Sequence, residues 1–417
     1  MSKLSNVSCY VTEKISVDSI DISEYITTDN LLQNKKGRVI AEKLPTQKVT
    51  RFKKNDILIA NIRPYLKKIW QADIDGGASS DVLVVRPNDV IDNNFLYYAL
   101  TQDSFFEYVM KGSKGTKMPR GDKSQIMDFV IPNLEIDEQI KIGKLLKSID
   151  QKIQINNQIN QELEAMAKTL YDYWFVQFDF PDQNGKPYKS SGGKMVYHPE
   201  LKREIPEGWG VTTFSSWISD NKTGDWGKET SEGNYTLEVD CIRGADINGL
   251  SGNGKTDMPT RFILEKNKNK LLTDFDIVIE ISGGSPTQST GRIVGISESV
   301  LNRFDLPLIC SNFCKAVSLK EQETFYNFVY EWKNLYDNGV LFSWEGKTSG
   351  IKNLLFDSFV TNYHIAQPPI DLMKQFFDYA SSVDKKTQLL LKQNQELTQL
   401  RDWLLPMLMN GQVKVER

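Results

Sequence analysis

The sequence is short of the residue types that would settle its chemistry at once. It has 4 cysteines and 2 histidines in 417 residues, too few for a disulfide framework and a thin supply for zinc. His198 and His364 stand in separate segments without a Ser, Asp or Cys signature beside them. Cys310 and Cys314 form one C-x3-C pair with no second pair to complete a metal site. The opening MSKLSNVSCY lacks the apolar run of a secretory leader, and no apolar stretch of about 18 residues follows. These absences predict a soluble, cytoplasmic protein. Neither sign of charge dominates, with 51 Lys plus Arg against 54 Asp plus Glu and a net charge of −3. That excludes a uniformly basic binder and leaves local basic loops open. The balance is uneven along the chain, because residues 1–131 carry 19 cations and 16 anions whereas residues 199–365 carry 17 and 23. A chain that is 40% hydrophobic and 25% charged is neither disordered nor collagen-like, and its length predicts about two to four domains.

What the sequence does have is a duplication. Ile136-Asp137 recurs as Ile370-Asp371, Asp150 as Asp384, and Asn160-Gln161-Glu162-Leu163 as Asn394-Gln395-Glu396-Leu397, all at a separation of 234. Weaker echoes link Asp56-Ile57-Leu58-Ile59 to Asp276-Ile277-Val278-Ile279, and Gly115-Thr116-Lys117 to Gly350-Ile351-Lys352. So long a period excludes a solenoid, whose units run to about 20–50 residues.

The matched segments read as long helices. Ile142, Leu145, Ile149, Lys152, Asn156, Ile159, Leu163, Met166, Leu170 and Tyr173 step by threes and fours. So do Phe376, Tyr379, Val383, Lys386, Leu390, Gln393, Leu397, Leu400, Leu404 and Met407. This is a heptad seam with polar breaks, Lys152 with Asn156 and Lys386 with Gln393, which would fix the pairing register of two helices. The stretch from Asp137 to Trp174 would span roughly 57 Å. The divergent segments hold short β-rich runs at Asp56–Ile62, Asp81–Arg86, Asp276–Ile281 and Cys314–Leu319, with aromatic helical stretches at Phe95–Met110 and Phe325–Tyr336. The fold class is mixed α/β, with two tandem α/β domains separated by two long helices pairing as an antiparallel coiled coil. The expected bounds are domain 1 over 1–134, a central helix over 135–180, a linker over 181–204, domain 2 over 205–369, a C-terminal helix over 370–410 and a tail over 411–417.

Catalytic patterns fail on inspection. Gly249-Leu250-Ser251-Gly252-Asn253-Gly254-Lys255-Thr256 satisfies the phosphate-loop formula, but Pro259 would disrupt the helix that must follow. Asp337 with Glu345-Gly346-Lys347 loosely resembles a metal-dependent nuclease set, with no equivalent in the first half. Binding signals are stronger. Lys111, Lys114, Lys117, Arg120 and Lys123 face the single acid Asp122, among Gly112, Ser113, Gly115 and Thr116, which allow close approach to a phosphate chain. Arg63, Tyr65, Lys67 and Lys68 follow the first strand run. In the second half the loop carrying Ser285, Thr287, Gln288, Thr290 and Arg292 takes the same place after Ile279, and Lys347, Thr348 and Lys352 mirror the first Lys/Gly loop. Lys111, Lys114, Lys117, Lys347 and Lys352 suit phosphates; Arg63, Tyr65, Gln288 and Arg292 suit base edges or a groove.

The stretch Tyr173-Trp174-Phe175-Val176-Gln177-Phe178-Asp179-Phe180-Pro181, followed by Asn184-Gly185-Lys186-Pro187-Tyr188-Lys189-Ser190-Ser191-Gly192-Gly193-Lys194-Met195, closely resembles the central conserved region of type I restriction-modification specificity subunits. Ile205-Pro206-Glu207-Gly208-Trp209 resembles that family's approach to its second target-recognition domain, and Asp56-Ile57-Leu58-Ile59 with Arg63-Pro64-Tyr65-Leu66-Lys67-Lys68 is similar to a common form of the first. The resemblance implies a non-catalytic subunit without a cofactor of its own, reading a bipartite asymmetric site in double-stranded DNA through two target-recognition domains. Its implied partners are two methyltransferase subunits, which methylate adenine N6 with S-adenosylmethionine, and ATP-driven restriction subunits; no membrane is involved. On this reading the acidic second domain predicts that the chain alone binds DNA poorly and gains affinity on assembly. A self-sufficient nuclease or NTPase, and a coiled-coil adaptor with no DNA role, are the rival readings.

Overall fold

The structure, a computed structural model, describes every residue except Asn253, Lys255, Gly284, Ser285, Pro286, Ser349, Gly350, Glu416 and Arg417, together with the side chains of Lys347 and Thr348. The chain separates into two compact units, Met1–Ile153 with Gln395–Arg417 and Gln154–Asn394.

In unit 1 the strands Ser8–Tyr10, Val82–Pro87, Ile57–Ala60 and Ile69–Gln71 lie side by side in that order, antiparallel throughout. Both faces of this sheet are buried, so its central strands are continuous apolar runs. Ile57, Ile59, Leu83 and Val85 point into a cluster with Phe95, Leu96, Phe105, Val109, Ile142 and Leu408. Leu58, Ala60, Val82 and Val84 point the other way, onto Ile26, Leu31, Phe52 and Trp70. That period of two is what a pleated strand imposes. A second sheet joins Lys14–Ile15, Val49–Phe52, Gly76–Ala78 and Tyr25–Ile26, its last pair parallel. The aromatic stretch is two helices, Asn93–Thr101 and Asp103–Lys111, broken where Gln102 adopts an extended backbone. The Asp92 carboxylate caps the first by accepting from Phe95 N at 2.9 Å.

Unit 2 repeats the plan. Ile218–Thr223, Cys314–Leu319, Asp276–Glu280 and Ile293–Ile296 form the corresponding antiparallel sheet, with Ile277, Ile279 and Val317 on one face and Val278, Val294 and Ala316 on the other. The helix Phe325–Asp337 covers the first face. A second sheet joins Thr260–Leu264, Tyr235–Ile242 and Leu308–Cys310, again with a parallel pair.

The duplication extends to details that residue identity hides. In each unit the first strand of the α/β body pairs antiparallel with the last strand before a long helix, Ser2–Lys3 with Val130–Ile131 and Gly210–Thr213 with His364–Gln367. A four-residue helix follows that first strand in both, Leu4–Val7 and Phe214–Trp217. Before the echoed strands, Asn55 and Phe275 both sit at positive φ, 74° and 64°. Asp56 and Asp276 each close the turn by accepting from a backbone N–H three residues earlier, at 2.8 and 2.7 Å.

The long helices are Ile136–Tyr171, followed by a π-helical turn at Asp172–Val176, and Ile370–Met409. Each starts at its copy of the repeated Ile-Asp. Within unit 1, Ile142 and Leu146 share a core with Leu405, Leu408 and Met409, and Arg401 Nη1 donates to Asp150 at 2.7 Å. Within unit 2 the fully buried Asn156 donates to Asn394 at 2.9 Å and to Gln393 at 3.4 Å, and Tyr171 meets Phe376 at 5.4 Å. Inside each unit the two helices therefore run antiparallel, and Asn156 with Gln393 forms the expected polar break. Ile142, Ile149, Phe376 and Leu390 of the expected seam are buried, but part of it needs correction: Lys152, Ile159, Met166 and Tyr173 are exposed, as are Lys386 and Leu400. Asn160, Ala167, Thr387 and Gln388 are buried instead, because each helix also packs on the α/β body of its unit. The stretch read as a linker carries a hairpin, Met195–His198 with Arg203–Pro206.

Candidate nucleic-acid interface

In unit 1 the chain leaves the strand Ile57–Ala60 through Asn61, whose N–H donates to Asp81 O at 2.9 Å. Ile62 bridges to Arg120, and Arg63 N donates to Pro119 O at 2.8 Å. The strand-exit loop and the Lys/Gly loop, far apart in sequence, are thus one surface. Lys114 and Arg120 exchange backbone hydrogen bonds of 2.9 Å that close the second loop, and Gly115 supplies the φ of +99° that the bend requires. Arg63 and Lys67, at φ of 52° and 50°, bracket the turn Pro64–Leu66 and lift Tyr65 to its crest, half exposed. Each non-glycine residue in that left-handed region costs about 1–3 kcal/mol, strain that concentrates at functional loops.

The cations here divide. Lys67 and Lys35 both bind Asp103, at 2.9 and 2.8 Å, and their hydrogen bonds hold its carboxyl below the usual range. Lys68 donates to Thr28 O, and burial lowers its pKa. Ser113 donates inward to Met110 O at 2.8 Å. Lys114 is 85% exposed, with Asp122 at 3.4 Å, and Arg120 pairs with Asp81 at 3.0 Å. Lys111, Lys117 and Arg63 are exposed, with no ion-pair partner found among the described residues. A third loop joins this surface that sequence reasoning missed: Asn34 N and Lys35 N donate to Leu66 O and Lys67 O, both at 2.9 Å. That places Lys36 and Arg38 beside the turn. Its signal was available, since Lys35-Lys36-Gly37-Arg38 has the composition of the Lys/Gly loop.

In unit 2 the equivalent loops also meet. Ser282–Gly283 pairs with Ile351–Leu354, which pairs in turn with Glu345–Thr348. Thr290 donates through both its N–H and its hydroxyl to Glu345, at 2.8 and 3.0 Å. Lys352 bonds Glu345 at 3.2 Å and Gln288 O at 3.3 Å. Gln288 and Thr287 face solvent while Thr290 is buried. Arg292 is held bidentately by Glu280 at 2.9 and 2.6 Å. Gly244 is required beside them, because a Cβ there would lie 2.4 Å from Glu280 Oε1. Ser285 lies outside the described residues, as do the side chains of Lys347 and Thr348.

The chemistry-bearing motifs resolve as structure. After Thr256 comes coil and then the strand Thr260–Leu264 rather than a helix; Lys255 lies outside the described residues. Leu250 O accepts from Arg303 and Gln388, at 3.3 and 3.1 Å, tying that segment into the core. Glu345 is committed to Thr290 and Lys352. Cys314 is buried, its thiol pushed up to about 12 by burial, and Cys310 is raised for the same reason. Among the described residues no three His, Cys, Asp or Glu side chains gather as a metal site, and no helix is long and apolar enough to cross a membrane.

The chain is similar to known proteins over most of its length. A family model described as type I restriction modification DNA specificity domain matches residues 11–165. The chain is 25% identical over 337 residues to the type I restriction enzyme MjaIX specificity subunit of Methanocaldococcus jannaschii, spanning 80% of this chain and 72% of that one. It is 29% identical over 209 residues to the HindI specificity subunit of Haemophilus influenzae, spanning 48% and 45%. Among solved structures, the S subunit of a type-I restriction-modification system from M. genitalium superposes with a TM-score of 0.57 at 17% identity, covering 98% of this chain and 95% of that one.

Proposed function

Because the chain belongs to the type I restriction-modification specificity subunits, we propose that it reads a bipartite, asymmetric DNA site, one half by each unit, and scaffolds adenine-N6 methyltransferase and restriction subunits. As a member of that family it is a non-catalytic DNA-recognition subunit. The observation that carries the bipartite reading is the recurrence, in both units, of a strand-exit loop bonded to a second Lys-bearing loop. Two copies of one reading surface suit a site with two halves, and their different side chains suit halves of different sequence. Scaffolding is supported by apolar side chains left in solvent on the long helices: Ile155, Ile159, Met166 and Tyr173 on the first, Leu400 and Trp403 on the second. Such faces mark protein contacts.

The test is methylome sequencing of cells that express this chain with its methyltransferase subunits. Replacing residues 1–134 by another recognition domain should change one half of the methylated motif and leave the other intact. An unaltered motif would establish the adaptor reading instead. DNA turnover by the purified chain with Mg²⁺ and ATP, abolished by Lys255→Ala, would establish the enzyme reading.

A further inference from the structure

Beside the strand-exit loop of unit 2 lies the turn Ser311–Cys314. Cys314 N donates to Ser311 O, and Ser311 N to Ile242 O, both at 2.9 Å. The Phe313 carbonyl accepts from Ile281 N at 2.9 Å and from Ser282 N at 3.1 Å. Ser311 and Cys314 are each 1% exposed, so the turn is anchored at both ends, yet its tip, Asn312-Phe313, faces solvent with Phe313 55% exposed. Turn tips ordinarily carry Gly, Asn, Asp or Ser, and an apolar ring left in water adds nothing to folding.

The equivalent place in unit 1 shows what this position does. There Asn61 N donates to Asp81 O just as Ile281 N donates to Phe313 O, and Ala60 pairs with Val82 as Glu280 pairs with Cys314. Asp81 spends its carboxylate on Arg120. Unit 2 has an uncharged ring in its stead, on a residue whose backbone carbonyl accepts from Ser282 N, and Ser282 pairs with the strand that carries Lys352, whose Nζ lies 5.1 Å from the exposed Phe342 ring. Residues 199–365 carry 23 anions against 17 cations, so this unit draws less from counterion release than a basic one would. A charge-free contact that still carries sequence information is an apolar group against the C5 methyl of thymine in the major groove, and an Asn amide fits the adenine edge.

We propose that Asn312 and Phe313 form a base-reading tip of unit 2, with the Phe313 ring packed on a thymine methyl of its half-site. The proposal rests on the reading of unit 2 as a duplex-binding domain. It is tested on the complex assembled with methyltransferase subunits, using synthetic duplexes of the methylated site in which each thymine in turn is replaced by uracil, removing only the methyl. The wild-type complex should weaken by about four- to tenfold at one thymine of the half-site read by unit 2. Phe313→Ala should lose a similar factor on the parent duplex and become indifferent to that uracil, while Phe313→Leu keeps part of the discrimination. A flat uracil scan with wild type, or a Phe313→Ala complex that retains the wild-type sensitivity, overturns the proposal and leaves DNA recognition standing. So does a Phe313→Ala effect confined to assembly with the other subunits, which would make the tip a protein contact. Absence of any site-specific binding by the wild-type complex would instead bring down the functional reading itself.

Discussion

A cation that is to hold a phosphate must keep its charge for it, and the basic residues of the two loop surfaces divide on that test. Lys111 and Lys117 stand in solvent, and Lys114 is 85% exposed with only a 3.4 Å contact to Asp122. Arg292 is the opposite case, its guanidinium closed on a Glu280 carboxylate that is 4% exposed. Removing it would strand a buried charge, whereas removing both partners would not. Arg292→Ala should therefore destabilise unit 2 by about 3 kcal/mol, at the low end for a buried pair because the Arg is partly solvated. The Arg292→Met, Glu280→Leu double variant should recover much of that in urea unfolding monitored by tryptophan fluorescence. Full stability in Arg292→Ala, with loss of one base preference in the methylome, would make the arginine a base reader. The sequence around Arg292 is silent on this choice. A Gly-, Ser- and Thr-rich loop ending in Arg looks the same whether the arginine faces outward or is claimed by an acid 12 residues earlier.

Elements were more legible than side-chain roles, and the long helices most of all. Heptad spacing sums a weak signal over many turns, and the repeated Ile-Asp marks the first residue of both helices. Which heptad positions face inward was less legible, because a helix that packs on a partner helix and on its own domain buries a wider face than a two-helix seam. Gln388 shows why composition misses such a residue: it is buried by accepting from Arg303 at 2.6 Å and donating to Leu250 O at 3.1 Å. The strands around Ile57 and Ile277 were legible because burial on both faces makes them continuous apolar runs; the meeting of loops at Ile62 and Arg120 is a long-range contact that no local pattern encodes. Since the two helices are shared by both units, their length sets the gap between half-sites on the proposed reading. Inserting four residues in each, after Ile153 and before Gln395, adds about 6 Å of helix and should widen the methylated motif's gap by about two base pairs. The bases read on either side should not change. A motif with its original gap would show that the helices are not the spacer.

For the whole molecule, the net charge of −3 conceals a division of labour that salt can expose. Residues 1–131 have more cations than anions and residues 199–365 the reverse, and Lys111, Lys114 and Lys117 present three exposed ammonium groups on one loop of unit 1. Each phosphate contact releases counterions, contributing about 0.9 to the slope of log affinity against log salt. Replacing Lys111, Lys114 and Lys117 together by alanine should accordingly lower the slope of the assembled complex by about 2–3. Affinity should fall by a similar factor on cognate and unrelated duplexes, because phosphate contacts position without specifying. The methylated motif should be unchanged, in contrast to Phe313→Ala, which should alter one position of it and leave the salt slope as it was. The two readouts thus separate ionic grip from base reading in one protein. An unaltered slope in the triple variant would mean that these lysines do not sit on phosphates, and the basic surface would have to be sought on the partner subunits.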